Sequence, residues 1–501
     1  MAGTDAAWRC TVCAYIHRGP QPPDVCPVCG APRDAFEQRV EQVRRPARPR
    51  VTKWRCLICS YVHTGSEPPD QCPVCGAHRD RFEPIGGEAE KVREAARPKK
   101  VVIVGAGIAG VSAAESLRAS SPSAEITLVS KESHLPYYRL NLTRFVAGEI
   151  GQEQLPIHPE NWYAENGIRL MLGREATSLD LQGRTVACSG GESLRYDKLL
   201  LAAGAHPFVP PIPGAYRDGV VRLRTIEDAR LLLDQISPGK VCLAIGGGVL
   251  GLETAAGLAR RGADVTLLEG YGWLMPRQLN EPAGDLLAEF VAGQGVALRT
   301  NAQVEEILGD ERVRAVRLKD GGVYSADLVV ITTGIRPNSY LARMAGLEVA
   351  QGVVVDDSLA TSDPDVFAAG DVAEHRGVVY GLWGPAQSQG SIAGKSIAGI
   401  RAEFAGMPQA TTLKVIGMDV FSVGQFTAQD ASYAAIEQRG DGRYALLVFR
   451  DGRMVGAILA GDTGASTLVQ KAVEERLDLS ELLAGHPTPD DVTEFLRDRP
   501  A

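Results

Sequence analysis

The N-terminal region of the chain carries a tandem repeat built around pairs of cysteines. The stretch that opens at Trp8 recurs from Trp54, 46 residues further along the chain. In each copy a CxxC pair is followed, after twelve residues, by a CPVCG pair. Two such loops can bring four thiolates to one tetrahedral point, a coordination that iron and zinc accept from sulfur. The predicted metal ligands are Cys10, Cys13, Cys26 and Cys29 in the first copy and Cys56, Cys59, Cys72 and Cys75 in the second.

Each copy, residues 1–38 and 54–84, is too small for a hydrophobic core alone to stabilise it, so a metal or disulfides must supply the missing stability. Iron and zinc both fit four thiolates. A pair of zinc ribbons that only fold the modules is therefore an alternative to redox-active iron sites. Disulfides are the least favoured interpretation, because the compartment expected below is reducing. Residues 39–53 and 85–98 are predicted to be linkers, since they are rich in Arg, Glu, Pro and Gly.

The length and composition are typical of a multidomain globular protein. The 501 residues exceed what one core accommodates, and 45% of them are apolar. The apolar runs are short and rich in glycine, so no membrane span is predicted; a secretory leader is not visible either, and a cytoplasmic protein is expected. The first 98 residues contain 15 Lys and Arg against 12 Asp and Glu, without the strong basic stripe of a nucleic-acid-binding protein.

A first glycine turn follows a short apolar strand that begins near residue 99. Gly105, Gly107 and Gly110 form a GxGxxG pattern between that strand and a predicted helix. The N–H groups of the turn and of the helix start, at Ile108 and Ala109, can hold a pyrophosphate. An acidic residue after the next strand contacts ribose in such folds, and the candidate is Glu132.

A second glycine turn repeats the pattern further along the chain. Gly246, Gly248 and Gly251 form the turn, and the following strand ends in Glu269. A carboxylate at this position binds a ribose 2′-hydroxyl and repels a 2′-phosphate, so NADH is favoured over NADPH. Glycines that serve only close packing are the alternative, but that interpretation leaves both acidic residues unexplained.

With the further segment TSDPDVFAAGD near residue 370, residues 99–480 resemble the pyridine nucleotide-disulfide oxidoreductase superfamily, in particular rubredoxin reductases, ferredoxin reductases and the flavin part of nitrite reductases. The resemblance implies FAD at the first turn, NADH at the second, and a bond from Asp371 to the ribityl chain of FAD. Further cofactor contacts are implied at Ala176, Ala203, Gly204, Gly334, Gly370, Trp383 and Gly384. The cysteine modules resemble the rubredoxin module of rubrerythrins, which favours iron over zinc.

The stretch LPYYRLNLTR resembles the PYxRPxLSK pattern of the same branch and implies that Arg139 and Arg144 lie beside the flavin. The resemblance also implies that Arg144 pairs with Glu253 near flavin N5, which makes these two the candidate catalytic residues. Phe208 stands where relatives often have an arginine for an FAD phosphate. Other branches of the superfamily carry redox-active cysteines beside the flavin, and this chain has no counterpart of them. Cys188 and Cys242, the two cysteines outside the repeat, are interpreted as packing residues.

The predicted fold class is α/β, with two Rossmann-like dinucleotide-binding domains and a small C-terminal α+β domain after the two four-cysteine modules. The FAD domain is predicted to comprise residues 99–214 and 329–405, the NAD domain residues 215–328, and the C-terminal domain residues 406–501.

The predicted function is that of a flavin-dependent oxidoreductase that passes electrons from NADH through FAD to the fused iron sites. A rubrerythrin, a flavodiiron protein or a similar redox protein is the expected external acceptor, in oxygen or peroxide removal or in general electron transfer. The alternative is a flavoprotein NADH oxidase or reductase whose cysteine modules are structural zinc ribbons that recruit a partner.

Overall fold

The structure is a computed structural model, and it describes residues 7–10, 16–18, 21–25, 32–33, 36–39, 53–56, 61–74, 77–84, 99–407, 410–413, 417–428 and 430–498. The chain divides into two compact units. One unit is formed by residues 1–52 and 65–67, and the other by residues 53–64 and 68–501.

The first unit contains a small antiparallel sheet. Its strands are Ala7–Cys10, Ile16–Arg18 and Phe36–Arg39, with Ala7–Cys10 in the centre. The register pairs Trp8 with His17 and Cys10 with Phe36, and Phe36 is buried. Three of the predicted ligands in this module lie outside the described residues, namely Cys13, Cys26 and Cys29.

The second module repeats this sheet within the larger unit. Its strands are Lys53–Cys56, Val62–Thr64 and Phe82–Pro84, and a short 3-10 helix, Arg79–Arg81, precedes the last one. Trp54 pairs with His63 and Cys56 with Phe82, which is the register of the first module shifted along the sequence repeat. The tandem repeat is therefore confirmed at the level of strand pairing.

A parallel five-stranded sheet forms the core of the first dinucleotide-binding domain. Its strand order is Val366–Ala368, Lys198–Leu201, Lys100–Val104, Glu125–Val129 and Ile168–Met171. The helices Ile108–Ser120 and Trp383–Ala398 share its apolar core. A small antiparallel sheet adds further buried residues to that core, through the strands Ala176–Asp180, Thr185–Cys188 and Ser193–Arg195. Near-continuous apolar strands are typical of such covered parallel sheets.

The second dinucleotide-binding domain has a parallel sheet of the same size. Its strand order is Val220–Val221, Leu328–Ile331, Val241–Ile245, Asp264–Leu268 and Val296–Arg299. The strand Leu328–Ile331 crosses the boundary predicted at residue 328 and pairs within this sheet. The remaining elements are the helices Ile226–Gln235, Val249–Arg260 and Glu281–Gly293 and the antiparallel strands Val304–Gly309, Val313–Leu318 and Val323–Ser325.

Short elements connect the two domains. The strands Ala205–Pro207 and Ile335–Pro337 pair antiparallel where the chain leaves and re-enters the first domain. The strands Val353–Val355 and Ala373–His375 pair in parallel. The other short elements are the helices Leu142–Ala147, Glu160–Glu165 and Tyr340–Met344 and the 3-10 helices Arg139–Asn141 and Gln152–Gln154.

An antiparallel sheet and three helices form the C-terminal domain. The strand order is Ala410–Leu413, Val420–Gly424, Arg453–Ala460, Arg443–Arg450 and Tyr433–Gly440. One face packs Phe421, Leu447 and Phe449 against the helices Ser466–Glu474 and Pro489–Asp498, and the helix Ser480–Leu483 lies between these in sequence. The other face shares a core with the second dinucleotide-binding domain, because Tyr444 and Ile458 cluster with Leu287.

The predicted α/β fold class with two dinucleotide-binding domains and a C-terminal α+β domain is confirmed. In the part of the chain that the structure describes, no helix combines the length and the apolar character that crossing a membrane requires.

Candidate active site

The first glycine turn leaves space where a phosphate can approach. Gly105 has a φ of +110°, and a Cβ there would lie 2.1 Å from the carbonyl oxygen of Ala202. A Cβ at Gly110 would lie 1.9 Å from the carbonyl oxygen of Gly105, so the helix packs directly on the turn. A Cβ at Gly107 would meet nothing within 4 Å. Two glycines are therefore required by the protein's own packing, while the third opens onto a cavity.

The helix Ile108–Ser120 begins at this turn, with Gly107 as its N-cap and no side chain that caps it. Its first residues, Ile108 and Ala109, belong to the turn whose N–H groups have no partner within the helix. Free N–H groups and the positive end of the helix dipole attract an anion. The open face of Gly107 and this uncapped helix start fit the pyrophosphate of a dinucleotide.

The second glycine turn has the same construction. Gly246 has a φ of +111°, and a Cβ at Gly251 would lie 1.9 Å from the carbonyl oxygen of Gly246. Gly248 is again the open position, because a Cβ there would meet nothing within 4 Å. The helix Val249–Arg260 starts here with Gly248 as an N-cap that makes no side-chain hydrogen bond. The geometry fits a second pyrophosphate.

Glu269 lies at the end of the strand that follows this second turn. Its carboxylate accepts hydrogen bonds from the backbone N–H groups of Gly247 at 2.6 Å and Tyr271 at 2.8 Å. The residue is only 6% exposed, yet it borders the cavity. Because a carboxylate can accept up to about four hydrogen bonds, Glu269 retains acceptor capacity for a ribose hydroxyl.

Glu132 is held by two neighbouring side chains. Arg139 Nη2 lies 2.6 Å from one of its carboxylate oxygens, and Tyr137 donates its hydroxyl to the other at 2.7 Å. Arg139 also donates to the hydroxyl of Tyr137 at 2.7 Å and to the backbone carbonyl of Arg224. Both predicted cofactor residues, Glu132 and Arg139, thus belong to one hydrogen-bonded cluster at the edge of the cavity.

One cavity of about 1880 Å³ is bordered by both glycine turns. This volume exceeds the roughly 300–1,000 Å³ of pockets for a single small ligand, which suits a site that holds two dinucleotides end to end. Val74 of the second cysteine module also borders the cavity. The predicted cofactor residues that line it are Gly105, Gly107, Ile108, Ala109, Glu132, Arg139, Arg144, Ala176, Ala203, Gly204, Gly246, Gly248, Glu253, Glu269, Gly334, Gly370, Asp371, Trp383 and Gly384.

Glu253 lies on the helix that follows the second glycine turn and faces the cavity. Thr143 donates its hydroxyl to Glu253 Oε2 at 2.8 Å. Burial raises the pKa of Glu253 to about 7, although the bond from Thr143 opposes the shift. The carboxyl group can therefore take up or release a proton near neutral pH.

The predicted ion pair between Arg144 and Glu253 is wrong. Arg144 Nε lies 3.1 Å from the carboxylate of Glu149, and its Nη1 donates to the backbone carbonyls of Pro73 at 3.3 Å and Val74 at 3.1 Å. Arg144 and its neighbour Thr143 point in different directions from the helix Leu142–Ala147, so Thr143 contacts Glu253 while Arg144 contacts the second cysteine module. Successive residues on a helix do not share a face, so the two side chains reach different partners.

Asp371 pairs with an arginine that the sequence did not single out. Arg224 Nη2 lies 2.9 Å from Asp371 Oδ2, and both side chains are largely buried. The preceding Gly370 has a φ of +81° and donates its N–H to Gln389 at 2.8 Å. The pair fixes the Asp371 carboxylate at the cavity wall, where its second oxygen has no hydrogen bond to a described residue.

Asn338 joins two of the predicted cofactor segments. Its side-chain amide donates to the carbonyl of Ala203 at 2.8 Å, and its backbone N–H donates to the carbonyl of Gly204 at 2.9 Å. The Gly334 carbonyl in turn accepts the N–H of Phe208 at 2.8 Å, and the Arg336 guanidinium lies 4.3 Å from the centre of the Phe208 ring. These contacts hold in place the loops around the paired strands Ala205–Pro207 and Ile335–Pro337.

Trp383 starts the helix Trp383–Ala398, whose N-terminus borders the cavity. Its indole Nε1 is buried without a hydrogen-bond partner among the described residues, and a Cβ at Gly384 would meet nothing within 4 Å. Buried donors normally have partners, so an unpaired donor beside an open glycine fits an acceptor group of a bound cofactor. The Trp383 ring also lies 5.5 Å from that of Tyr138, centroid to centroid.

Two of the four predicted ligands in the second module are described. Cys56 and Cys72 are both buried. Each begins a loop closed by a backbone hydrogen bond of 2.7 Å: the N–H of Cys56 donates to the carbonyl of Tyr61, and the N–H of Cys72 donates to the carbonyl of Ala77. Cys59 and Cys75 lie outside the described residues. Two matched loops of this kind fit the knuckles of a four-thiolate metal site.

Cys188 and Cys242 are both buried, as expected for packing residues. Burial raises the pKa of the Cys242 thiol to about 12, which leaves it protonated and unreactive at neutral pH.

Residues 99–390 match the family described as pyridine nucleotide-disulphide oxidoreductase, and the chain belongs to this family. Residues 410–477 match the rubredoxin NAD+ reductase C-terminal domain. Residues 8–37 and 54–83 each match the rubrerythrin rubredoxin-like domain. These matches support FAD and NAD(H) as the dinucleotides and a metal in each cysteine module.

Two curated relatives and one solved structure illustrate the relationship. The chain is 37% identical over 386 residues to nitrite reductase [NAD(P)H] of Bacillus subtilis, covering 76% of this chain but 48% of that protein, so it spans about half the length of this relative. It is 37% identical over 283 residues to rubredoxin-NAD(+) reductase of Pseudomonas putida, covering 56% of this chain and 74% of that one. A covalent putidaredoxin reductase–putidaredoxin complex matches with a TM-score of 0.73 and 27% identity, over 80% of this chain and 98% of that chain.

Proposed function

We propose that this chain is a flavoprotein that transfers electrons from NADH to its own rubredoxin-type iron sites and from them to an external redox protein. The observation that best supports this function is the shared cavity, which both glycine turns and Val74 of the second module border. The net reaction, NADH + 2 Fe(III) → NAD⁺ + H⁺ + 2 Fe(II), balances one hydride against two single-electron acceptors in one chain.

FAD, when bound at the first turn, supplies the conversion of a two-electron hydride into single electrons. The uncapped helix at Gly107 binds its pyrophosphate, and Asp371, oriented by Arg224, holds its hydroxylated chain. The cluster of Glu132, Tyr137 and Arg139 closes the edge of the site.

Glu253 holds a proton beside the reacting groups. Because Thr143 occupies Oε2, the proton resides on Oε1 when the carboxyl group is neutral. A pKa of about 7 allows both protonation states at neutral pH, so the charge beside the flavin changes with little cost. This role replaces the ion pair with Arg144 expected from the sequence.

NADH is proposed as the electron donor in preference to NADPH. The Glu269 carboxylate is fixed by two backbone N–H groups and cannot turn away from a 2′-phosphate without leaving them unpaired. Iron is proposed in both modules because a redox-inert zinc would leave the electrons from the flavin without an outlet in the chain. A rubrerythrin, a flavodiiron protein or a similar carrier is the proposed external acceptor.

The test compares the wild-type chain with a Cys29→Ser, Cys75→Ser variant that lacks one ligand in each module. Both proteins should accept electrons from NADH into the flavin at the same rate, while only the wild type should reduce an added rubredoxin-type acceptor. Equal acceptor reduction by the variant, or zinc as the metal in the wild type, would contradict the proposal.

A further inference from the structure

The second cysteine module contacts the dinucleotide-binding domain through an apolar patch. Tyr138, Leu140 and Trp383 pack against the core of the module, which includes Cys72 and Val74. Tyr138 and Leu140 precede the helix that carries Arg144, and Trp383 begins the helix that borders the cavity. Val74 is therefore buried at the edge of the dinucleotide site.

The side chain of Arg81 joins the module to the C-terminal domain. Arg81 is 4% exposed and lies in the 3-10 helix just before the last strand of the module. Its Nη1 donates to the hydroxyls of Ser466 and of Thr467, the latter at 2.7 Å, and its Nη2 donates to the backbone carbonyl of Thr463. All three acceptors belong to the C-terminal domain, at the start of the helix Ser466–Glu474.

A buried guanidinium must satisfy its donors, since an unpaired buried charge is strongly unfavourable. Three acceptors of Arg81 lie in another domain, about 380 residues further along the chain. The contact is directional, because a planar guanidinium constrains the orientation of what it bonds. Arg81 and Arg144 thus hold the module at two separate points, the first on the C-terminal domain and the second on the helix Leu142–Ala147.

The sequence repeat distinguishes the two modules at this position. The 46-residue offset that aligns Trp8 with Trp54 also aligns Ala35 with Arg81. An alanine has no donor for the C-terminal hydroxyls. The second copy therefore has the residue that makes the docking contact, and the sequence of the first copy lacks it.

We infer that the second module is the entry point for electrons, held beside the dinucleotide cavity by Arg81, and that the first module does not share this role. The inference rests on the proposed function and adds the order in which the two modules receive electrons. Iron held by the cysteines of the second module would accept one electron from bound FAD, going from Fe(III) to Fe(II), and would accept the second electron of each hydride after passing the first to the next acceptor. Arg81 is a positioning residue, because it acts through the contacts of its guanidinium with Thr463, Ser466 and Thr467 of the C-terminal domain.

The experiment follows iron reduction by NADH in the stopped flow, using the full-length chain with Cys26→Ser so that the rubredoxin absorbance comes from the second module alone. Arg81→Ala should slow iron reduction on the order of tenfold while flavin reduction keeps its rate, since misplacement of a reacting group reduces rate sharply. Added viscogen should leave the parent unaffected and slow the variant, because an undocked module must diffuse to the flavin. Arg55→Ala is the matched control, as Arg55 bonds Glu83 within the module.

A second variant separates docking from folding of the module. Ser466→Ala with Thr467→Val removes two acceptors of Arg81 from the C-terminal domain and leaves every residue of the module unchanged. This variant should show the same slow, viscosity-dependent iron reduction as Arg81→Ala, while its metal content equals that of the parent. Unchanged iron reduction in both variants would overturn the inference and leave the proposed function intact. Iron that NADH never reduces in the parent, despite flavin reduction, would overturn the proposed function itself.

Discussion

The guanidinium of Arg144 donates to the backbone carbonyl of Val74 at 3.1 Å. This bond joins a helix of the first dinucleotide-binding domain to the loop between Cys72 and Cys75. The residue that the family pattern assigned to flavin N5 is thus directed at the metal module, and Thr143 has taken its place beside Glu253.

Arg144→Ala separates these two roles. Because Arg144 contacts the module and not Glu253, the variant should reduce its flavin with NADH at the wild-type rate and pass electrons to the second module about tenfold more slowly. Single-turnover absorbance at the flavin and iron bands measures both rates. Arg169→Ala removes an exposed ion pair with Glu192 and serves as the control. A slower flavin reduction with unchanged iron reduction would restore the role expected from the sequence.

Glu253 should make stability depend on pH in a defined direction. Burial raises its pKa from 4.5 to about 7, so the folded chain binds this proton more tightly than the unfolded chain. The associated stabilisation is complete below pH 4.5 and is lost as the pH rises through 7. Relative to wild type, Glu253→Gln should therefore gain about 3 kcal/mol between pH 5 and pH 8, measured as thermal unfolding of the cofactor-free protein. A difference in stability between Glu253→Gln and wild type that is the same at pH 5 and at pH 8 would contradict this account.

Gly248→Ala should impair NADH binding without destabilising the fold. A Cβ at Gly248 meets no protein atom within 4 Å, and the backbone there is extended, so the turn can accept an alanine. The methyl group instead occupies the space through which a pyrophosphate approaches. The KM for NADH should rise about tenfold or more, while the melting temperature stays within about 2 °C of wild type. Gly293→Ala adds a methyl group in equally open space at a residue that does not line the cavity, and the KM for NADH of this variant should not change.

The ion pair between Arg224 and Asp371 should support FAD binding. Asp371→Ala removes a cavity-lining carboxylate, and Arg224→Ala removes the group that orients it. Each variant should weaken FAD binding by about tenfold, or about 1.4 kcal/mol, and the double variant should lose less than the sum. Fluorescence titration of the cofactor-free proteins with FAD measures these losses. Fully additive losses would mean that Arg224 does not act through Asp371.

Local patterns were sufficient to predict the glycine turns and the cysteine repeat. The steric demands at Gly105 and Gly110 arise within a few residues, and the strand pairing of the two modules repeats because their sequences do. The pairs Arg224 with Asp371 and Arg81 with Thr467 join residues far apart in the chain, and no local pattern marks them. For Arg81 one signal existed, since it is a position at which the two copies differ.

The predicted pair of Arg144 with Glu253 failed for a different reason. Thr143 and Arg144 are adjacent, so the family motif places both near the second turn, but only the helix geometry decides which of them reaches Glu253. The ligands Cys13, Cys26, Cys29, Cys59 and Cys75 lie outside the described residues and stay predictions.

An anaerobic titration of the metal-quantified protein with NADH tests the central claim most directly. We expect two irons per chain, and we expect each NADH added to bleach the absorbance of both ferric sites while the flavin remains oxidised until they are reduced. A flavin that accepts the first equivalent while the metal spectrum stays unchanged, or zinc in place of iron, would contradict the account.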